Sequence, residues 1–260
     1  MKVLMVAHAF PRWESDFAGA FVWRLAQALA EHGHQVTAIA PADRGESGAP
    51  TLGDVRVRRV RYADSERETL AYHGAMHQTT ARSLGGALAF GGLLRAFLVA
   101  VEEECARGAA DVVHAHWWVP GGVAAALARR GACPLVVTLH GTDVTLVGQD
   151  RSFFEITKFG IERSQGGTAV SEFLRRMTMD EFQIKKNIVA IPNFVDLSAY
   201  SPAGEHRDGA PLAKPGQKII VRTWLDASIH LICRGHPLVF NILPEPAPPA
   251  ADAPARNEID

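Results

Sequence analysis

Residues 2–41, KVLMVAHAFPRWESDFAGAFVWRLAQALAEHGHQVTAIAP, contain the pattern of a strand, a helix and a second strand in succession. The run KVLMVA at 2–7 is almost entirely apolar, which is typical of a strand covered on both faces in a parallel sheet. After a polar loop, residues 20–33 carry apolar side chains at helical spacing and end on a glycine suited to a helix C-terminus. QVTAIAP at 35–41 predicts the second strand, so the chain opens with a βαβ unit.

The same alternation of strand and helix patterns continues to about residue 200. Strands are predicted where apolar and β-branched residues run together, and helices where the apolar period is that of a helix. Further predicted strands begin at Val55, Asp111, Pro134, Gly167 and Asn187, and further predicted helices span 91–107 or begin at Gly121, Ser152 and Ser171. At least five such alternations predict a doubly wound, mostly parallel Rossmann-like α/β sheet.

The pattern changes after residue 200, where no clear βαβ repeat follows. Residues 201–243 have the composition of a linker followed by one or two strands, which we interpret as the remnant of a second domain. Residues 244–260 are rich in proline and alanine, and we expect this tail to be disordered. The expected division is therefore a Rossmann-like domain at 1–200, a linker and remnant at 201–243, and a disordered tail at 244–260.

Composition excludes several classes of protein. A chain of 260 residues with 47% hydrophobic content can bury a sizeable core, and a net charge of -1 argues against a nucleic-acid-binding protein. The three cysteines are scattered and form no CxxC pair, which fits a reducing cytoplasm. The apolar stretch at 85–101 contains Arg95 and several glycines, so we interpret it as a buried or interfacial helix rather than a membrane span.

Polar side chains follow several predicted strands at their carboxyl ends, which is where ligands bind in open parallel sheets. His140 is the residue for which a ligand contact is most strongly favoured. His114 and His116 lie on one face of a strand, a spacing compatible with a metal ion, but no third ligand is spaced nearby. We therefore expect one of these two histidines to pack and the other to line a cleft. Ser171 and Asn193 end the next two strands.

Several of these features also have a purely structural explanation. Gly19, just before the first helix, either lets backbone amides approach a ligand or simply makes a turn. Trp117 and Trp118 are either core or interface aromatics, or a surface on which a sugar stacks. Asp143 is either a catalytic base or the cap of a short turn. The three glutamates at 102–104 are most simply interpreted as a solvated helix end.

Four motifs resemble the N-terminal half of family 4 glycosyltransferases in order and spacing, as does the opening βαβ unit. They are DVVHAHW at 111–117, TLHGTD at 138–143, TAVS at 168–171 and IPNFVD at 191–196. The stretch at 140–171 is similar in particular to the branch that makes N-acetylglucosaminyl-malate. The resemblance covers roughly residues 1 to 200 and implies the GT-B fold, in which two Rossmann-like domains face each other across a cleft. It also implies sugar transfer from a nucleotide donor with retention at the anomeric carbon.

The resemblance assigns roles to the matching positions of this sequence. His140 would hydrogen-bond the donor sugar and stabilise charge near the reacting carbon, and Gly19 would let the first loop approach the donor phosphates or the acceptor. Asn193 would lie where the chain crosses to the second domain. The remaining positions would line the acceptor pocket: Thr138, Thr142 and Asp143, with Trp117 nearby. From the strand ends themselves we add His116 and Ser171 as substrate-binding candidates.

The family also sets the expectations for cofactors. A nucleotide sugar such as UDP-N-acetylglucosamine is expected as a substrate, and neither a cofactor nor a metal ion is expected. No protein base is obligatory, because the leaving group itself can take the acceptor proton. Electrostatic stabilisation of the leaving diphosphate would then supply most of the catalysis.

This sequence departs from the family pattern in two places. The first loop, ESDFAGAF, has one glycine where relatives often have two. After residue 200 we find neither the basic Arg/Lys pair nor the paired glutamates that hold the donor in the second domain. We therefore expect this chain to be the acceptor-side half of a retaining glycosyltransferase whose C-terminal domain is missing or truncated. The alternative is a catalytically inactive binding module that needs a separate donor-binding domain.

A third function, nicotinamide-dependent oxidoreduction, is disfavoured. The first βα turn lacks GxGxxG, and the second strand runs into Ala40, Pro41 and Ala42 instead of an acidic residue.

The expected partners are a nucleotide sugar and an acceptor, in the cytoplasm, and not nucleic acid. Further options are a peripheral membrane contact and either a homodimer or a separate donor-binding chain. A domain that faces a partner should leave apolar surface uncovered. The candidates for that surface are Trp117, Trp118, Phe194 and Val195.

Overall fold

A computed structural model of the chain describes most of its first 193 residues and three short segments beyond them. The described residues are 1–46, 48–72, 76, 80, 83–128, 133–141, 144, 151–181, 183–193, 219–223, 229–233 and 236–238. The chain divides into two compact units, which are described separately below. The first comprises Met1–Tyr200 with Leu225–Ala227, and the second comprises Ser201–Trp224 with Ser228–Asp260.

The first unit is built on an eight-stranded sheet. Its strands are β1 (Lys2–Val6), β2 (Gln35–Pro41), β3 (Thr51–Leu52), β4 (Val55–Val60), β5 (Val112–His116), β6 (Leu135–Leu139), β7 (Gly166–Ala169) and β8 (Ile188–Ala190). They lie in the order β3–β4–β2–β1–β5–β6–β7–β8, and every neighbouring pair is parallel except β3 and β4. Because β2 and β5 lie on opposite sides of β1, the strand order reverses there, and such a switch point is where open α/β sheets bind ligands.

Helices connect the strands of this sheet. They are α1 (Ala20–Glu31), α2 (Leu84–Ala106), α3 (Val123–Ala128), α4 (Arg151–Arg163) and α5 (Glu172–Glu181), with a short 3₁₀ turn at Ser65–Arg67 and an irregular helical turn at Trp118–Gly122. The second of these helices begins at Leu84 and not at residue 91 as predicted. Ser83 explains the difference, because its hydroxyl accepts a hydrogen bond from the backbone N–H of Gly86 at 3.0 Å and caps the helix.

The side chains of β1 alternate between two cores, one on each face of the sheet. Leu4 and Val6 pack into a core that includes residues of α2, α3, α4 and α5. Val3 and Met5 pack into a second core, to which α1 is the only one of the described helices that contributes. Helices therefore cover both faces of a mostly parallel sheet, and the predicted doubly wound fold is confirmed.

The glutamates near the end of α2 are not all solvated, and that prediction was wrong for Glu104. This carboxylate is 1% exposed and accepts hydrogen bonds from Arg56 at 2.6 Å and from Arg58 at 2.8 Å. Arg107 lies at 3.3 Å from the same carboxylate. A buried charge without partners would be strongly destabilising, so Arg56 and Arg58, which lie on β4, fasten α2 to that strand.

Helix α2 is apolar on both of its faces. Its buried face includes Leu93 and Phe97, while Leu84 and Leu88 on the other face are 78% and 64% exposed. Among the described helices it is the one whose length and mean hydropathy of 1.9 would suffice to cross a membrane, although 33% of that window is buried in the fold. Helix α2 packs on the core along one face, which agrees with the interpretation of residues 85–101 as a buried or interfacial helix.

The second unit contains a three-stranded antiparallel sheet. Its strands are β9 (Ile219–Thr223), β10 (Ile229–Cys233) and β11 (His236–Leu238), in the order β11–β10–β9. The sequence had indicated one or two strands in this region. Residues 201–218 and 244–260 lie outside the described residues, so the disordered tail and the predicted domain boundaries stay predictions.

Candidate active site

Residues at or just beyond the carboxyl ends of four strands converge on a cavity of about 150 Å³. The strands are β5 at the switch point and, beyond it, β6, β7 and β8. Phe21 and Leu25 of α1 form one wall, and the opposite wall is polar. Its main polar residues are His114, His116, Thr138, His140, Thr168 and Asn193.

His116 and His140 form a hydrogen-bonded pair at the centre of this wall. Nδ1 of His116 lies 3.0 Å from Nε2 of His140, and both side chains are 1% exposed. The two rings are close to parallel, with centroids 5.2 Å apart, and the ring of His114 lies 4.4 Å from that of His116. The three imidazoles therefore form a continuous layer beside the cavity, so both members of the predicted His114/His116 pair line it.

Two threonines connect this layer to the neighbouring strands. Nε2 of His114 lies 2.7 Å from the hydroxyl of Thr138, and that hydroxyl lies 2.6 Å from the hydroxyl of Thr168. The chain of contacts crosses β5, β6 and β7. Thr138 and Thr168 are register partners, whereas the register partner of Thr138 on β5 is His116 and not His114. Because each link is short, the orientation of the His114 ring is fixed by the sheet itself.

Trp117 lies behind the histidine layer. Its backbone φ of 61° is one that residues other than glycine rarely adopt. Its ring centroid is 4.2 Å from that of His8, 4.5 Å from that of His140 and 5.7 Å from that of Phe21. Such backbone strain persists only where the surroundings impose it, and it is frequent at functional sites. The strain here places the indole between the first loop and His140.

The tryptophans are not the uncovered apolar surface that the sequence suggested. Trp117 is 6% exposed and Trp118 is 2% exposed, because each packs into one of the two cores. This prediction was wrong. Phe194 and Val195, the other candidates for such a surface, lie outside the described residues.

Burial keeps the histidines of the site uncharged. It lowers the pKa of His8 and that of His114 to about 4 each. Burial, together with His114 and His8, lowers the pKa of His140 to about 3, and the pKa of His116 falls well below its usual value for the same reason, with smaller effects from the neighbouring histidines. At pH 7 all four imidazoles are therefore neutral, and each can both donate and accept a hydrogen bond.

Gly19 closes the first loop onto the backbone that follows β1. Its φ is 71°, and a Cβ at this position would lie 2.1 Å from the carbonyl oxygen of Ala9. The loop is further held by Arg12, whose Nε donates to Asp16 at 2.6 Å and whose Nη1 donates to Asp43 at 2.5 Å. Gly19 is thus required for the loop to fold, while its predicted approach to a ligand stays a prediction.

Of the remaining predicted site residues, Asn193 and Ser171 lie within the described part of the chain and Thr142 and Asp143 do not. Asn193 is exposed and lines the cavity. The hydroxyl of Ser171 accepts a hydrogen bond from the backbone N–H of Leu174 at 3.2 Å, so it caps α5, and its predicted contact with a substrate stays a prediction. Thr142 and Asp143 lie outside the described residues, and their roles stay predictions.

Sequence reasoning missed three residues of the site. His8 follows the carboxyl end of β1 by two positions, and that position is the signal that could have found it. Phe21 is one of the apolar residues at helical spacing in 20–33, but it faces the cavity and its ring lies 4.9 Å from that of His140. Thr168 lies on β7 beside Thr138, and only the strand order brings the two together.

Metal binding has no support in the described part of the chain, since no three His, Cys, Asp or Glu side chains converge there as ligands. The polar wall is instead a set of neutral hydrogen-bonding groups in a partly apolar recess, which suits a ligand rich in hydroxyls.

Comparison with known proteins points to one family. The family model of Glycosyltransferase Family 4 matches residues 18–199. The chain is 37% identical over 101 residues to the N-acetyl-alpha-D-glucosaminyl L-malate synthase of Bacillus anthracis, a match that covers 38% of this chain and 26% of the relative. It is 31% identical over 147 residues to the glycogen synthase of Mycobacterium tuberculosis (strain ATCC 25618 / H37Rv), covering 55% of this chain and 34% of the relative.

The fold is similar to that of a solved sucrose-phosphate synthase from Thermosynechococcus elongatus. The TM-score is 0.55 at 15% sequence identity, and the match covers 78% of this chain and 50% of that structure. At this identity the likeness concerns the fold alone. The matches thus span a quarter to a third of the length of the two curated relatives and half of the solved structure.

Proposed function

This chain belongs to glycosyltransferase family 4, and from that premise we propose that it forms the acceptor-side half of a retaining glycosyltransferase. The reaction would transfer a sugar from a nucleotide-sugar donor to an acceptor. The observation that carries the proposal is the cavity at the carboxyl edge of the sheet, where His140 and His116 lie among neutral polar groups. In this cavity the polar side chains could form hydrogen bonds with the hydroxyls of a ligand, in place of those that the hydroxyls make to water.

The properties of the cavity support this role. At about 150 Å³ it is smaller than the roughly 300–1,000 Å³ of pockets that enclose a drug-sized ligand, so it suits a small group better than a whole nucleotide sugar. The neutral imidazole of His140 can donate a hydrogen bond to a sugar hydroxyl or to the leaving phosphate oxygen, and negative charge develops on that phosphate oxygen during transfer. A donor held rigidly in a site from which water is excluded stabilises such charge more than it would in water.

The first substrates to test follow from the name of the Bacillus anthracis relative, which points to N-acetylglucosamine and L-malate. The purified chain would be incubated with UDP-N-acetylglucosamine and L-malate, and UDP release would be measured against a reaction without malate. The proposal predicts UDP release that depends on the acceptor. If no UDP is released while calorimetry still detects bound acceptor, the alternative of an inactive binding module that needs a separate donor-binding domain is favoured instead.

We also propose that the exposed face of α2 makes a peripheral contact with an anionic membrane surface. Five exposed positions follow one another along this face: Leu84, Leu88, Gly91, Arg95 and Val99. A solvated helix face is normally polar, whereas this one has a single charged side chain. Beside it, a groove of about 520 Å³ between β4 and α2 is lined by four arginines, three from the strand segment at 58–61 together with Arg95.

These two features favour a bilayer that contains anionic lipids. The apolar positions of α2 can enter the interface between headgroups and acyl chains, and each arginine close to such a surface contributes about 1 kcal/mol of attraction. Some of the arginines are also paired with glutamates, as with Arg58 and Arg61, so Arg95 should supply much of the charge that responds to salt.

Sedimentation with vesicles tests this contact. The protein should bind vesicles of equal parts phosphatidylglycerol and phosphatidylcholine and bind those of phosphatidylcholine alone less. The double variant Leu84→Glu/Leu88→Glu should lower binding about tenfold or more, because it places charges in the apolar interface. Phe173→Glu is the matched control, since Phe173 is an apolar side chain of α5 that is 70% exposed. The contact would be refuted if the double variant and the Phe173 variant bound vesicles equally. It would also be refuted if light scattering showed that the double variant had lost a dimer while its vesicle binding was unchanged.

A further inference from the structure

Arg59, near the carboxyl end of β4, contacts the first loop, which comprises residues 7–19 between β1 and α1. Its Nη1 donates a hydrogen bond to the carbonyl oxygen of Phe10 at 3.0 Å, and its Nη2 donates to the carbonyl oxygen of Pro11. Arg59 and Phe10 are 49 residues apart in the sequence, and β2 lies between their strands in the sheet. One side chain of β4 thus holds two consecutive peptide groups of a distant loop.

Tyr72 fixes the guanidinium of Arg59 from another direction. Its hydroxyl accepts a hydrogen bond from Nη1 of Arg59 at 2.5 Å and donates one to the carbonyl oxygen of Pro41, at the end of β2, at 2.9 Å. A guanidinium is planar and carries its donors in a rigid fork, whereas a lysine ammonium is a single point on a flexible stem. The arrangement of two carbonyls and a hydroxyl around Arg59 therefore requires arginine.

The first loop leads from this anchor to the candidate site. His8 lies two positions before Phe10, and its ring centroid is 4.2 Å from that of Trp117. The ring of Trp117 in turn lies 4.5 Å from that of His140. Because protein interiors are closely packed, a displacement of the loop would be passed on to these rings.

We propose that Arg59 is a positioning residue of the candidate site, although it is not among the described residues that line the cavity. By holding the carbonyls of Phe10 and Pro11 it sets the position of His8 and, through Trp117, that of His140. The position of the rings can be tested without any enzymatic reaction, whereas the effect on sugar transfer rests on the proposed function. A purely stabilising role would lower the free energy of unfolding without moving the rings.

Nuclear magnetic resonance of the full chain labelled with ¹⁵N-histidine measures the position of the rings. In folded Arg59→Lys protein we expect the ring signals of His8 to shift, because the ring lies against the indole of Trp117, and those of His140 to shift less. The signals of the exposed His32 should stay unchanged. Unchanged signals of His8 in the folded variant would overturn the proposal.

Arg56→Lys is the matched control, because it makes the same substitution on the same strand. The guanidinium of Arg56 donates to Thr37 at 3.2 Å and to Glu104 at 2.6 Å, on the side of α2 and not of the first loop. Its signals for His8 should therefore match those of the unsubstituted protein. Equal shifts in the two lysine variants would overturn the proposal, since they would show a general effect of loosening β4.

Tyr72→Phe keeps the test decisive if Arg59→Lys does not fold. This variant removes one hydroxyl and keeps the aromatic ring, so the contacts of Arg59 with the two loop carbonyls remain. The signals of His8 should shift in the same direction as in Arg59→Lys, by a smaller amount. No shift in Tyr72→Phe, where the lysine variant is unfolded, would count against the positioning role.

The kinetics of UDP release separate positioning from binding. Misplacement of a catalytic group by about 1 Å can lower a rate about 100-fold, so kcat of folded Arg59→Lys should fall by about tenfold to 100-fold while KM for UDP-N-acetylglucosamine changes less than about twofold. An unchanged kcat beside shifted His8 signals would refute the effect on His140. If the unsubstituted chain releases no UDP, the proposed function fails, and the histidine signals alone decide the role of Arg59.

Discussion

Substituting His140 with alanine is expected to abolish sugar transfer while the protein stays folded. The imidazole contacts His116, Trp117 and Phe21 at the edge of the cavity, and it would stabilise charge near the reacting carbon. Loss of one such preorganised donor commonly lowers the rate about 100- to 1,000-fold. The measurement is the initial rate of UDP release with UDP-N-acetylglucosamine and acceptor, at equal concentrations of folded protein.

Stability must be measured beside the rate, because the His140 ring is also packed. Its truncation should lower the free energy of unfolding by about 1–3 kcal/mol, which leaves most of the protein folded at 25 °C. His32→Ala removes an exposed histidine and serves as the matched control for both measurements. Turnover at the unsubstituted rate in folded His140→Ala protein would refute the assignment of this residue.

Substituting Gly19 with alanine is expected to destabilise the fold by about 3 kcal/mol or more. The added Cβ would lie 2.1 Å from the carbonyl oxygen of Ala9 and 2.4 Å from its carbonyl carbon, both of them backbone atoms that cannot rotate away. The left-handed backbone at φ of 71° adds a further cost. Urea denaturation monitored by circular dichroism gives the change directly.

Gly33 provides the control that separates crowding from backbone conformation. It also has a positive φ, of 82°, but a Cβ there would have no atom within 4 Å. Gly33→Ala should therefore cost only the conformational term, about 1–2 kcal/mol. Equal losses in the two variants would mean that the close approach of Gly19 to Ala9 does not hold the first loop in place.

Much of the fold could be predicted because the strand and helix periods are strong in this sequence. KVLMVA and QVTAIAP became β1 and β2, and the motifs in their order predicted the family that the comparison confirms. The beginning of α2 was missed because its first two turns are rich in glycine. The Ser83 cap that starts the helix is a local feature and was the available signal for this beginning. The burial of Glu104 depends on Arg56 and Arg58 of β4, which lies far away in the sequence, as well as on the nearby Arg107.

The site could be predicted in part, for a geometric reason. His116 and His140 directly end or follow parallel strands, so their place at the carboxyl edge follows from the alternation alone. The contact between Thr138 and Thr168 requires the strand order, and the lowered pKa values require the burial of four imidazoles together. Neither is encoded in a local pattern. Likewise, nothing local to Trp117 predicts its positive φ.

The central claim is that loops at the carboxyl edge of this sheet form a carbohydrate-transfer site around His140. Titration of the ¹⁵N-histidine-labelled chain with UDP-N-acetylglucosamine and, separately, with L-malate tests it most directly, since histidines lie both inside and outside the site. The account predicts that at least one ligand shifts the signals of His116 and His140 and leaves those of His32 and His34, beyond the C-terminal end of α1, unchanged. Binding detected by calorimetry without any shift at His116 and His140 would contradict it.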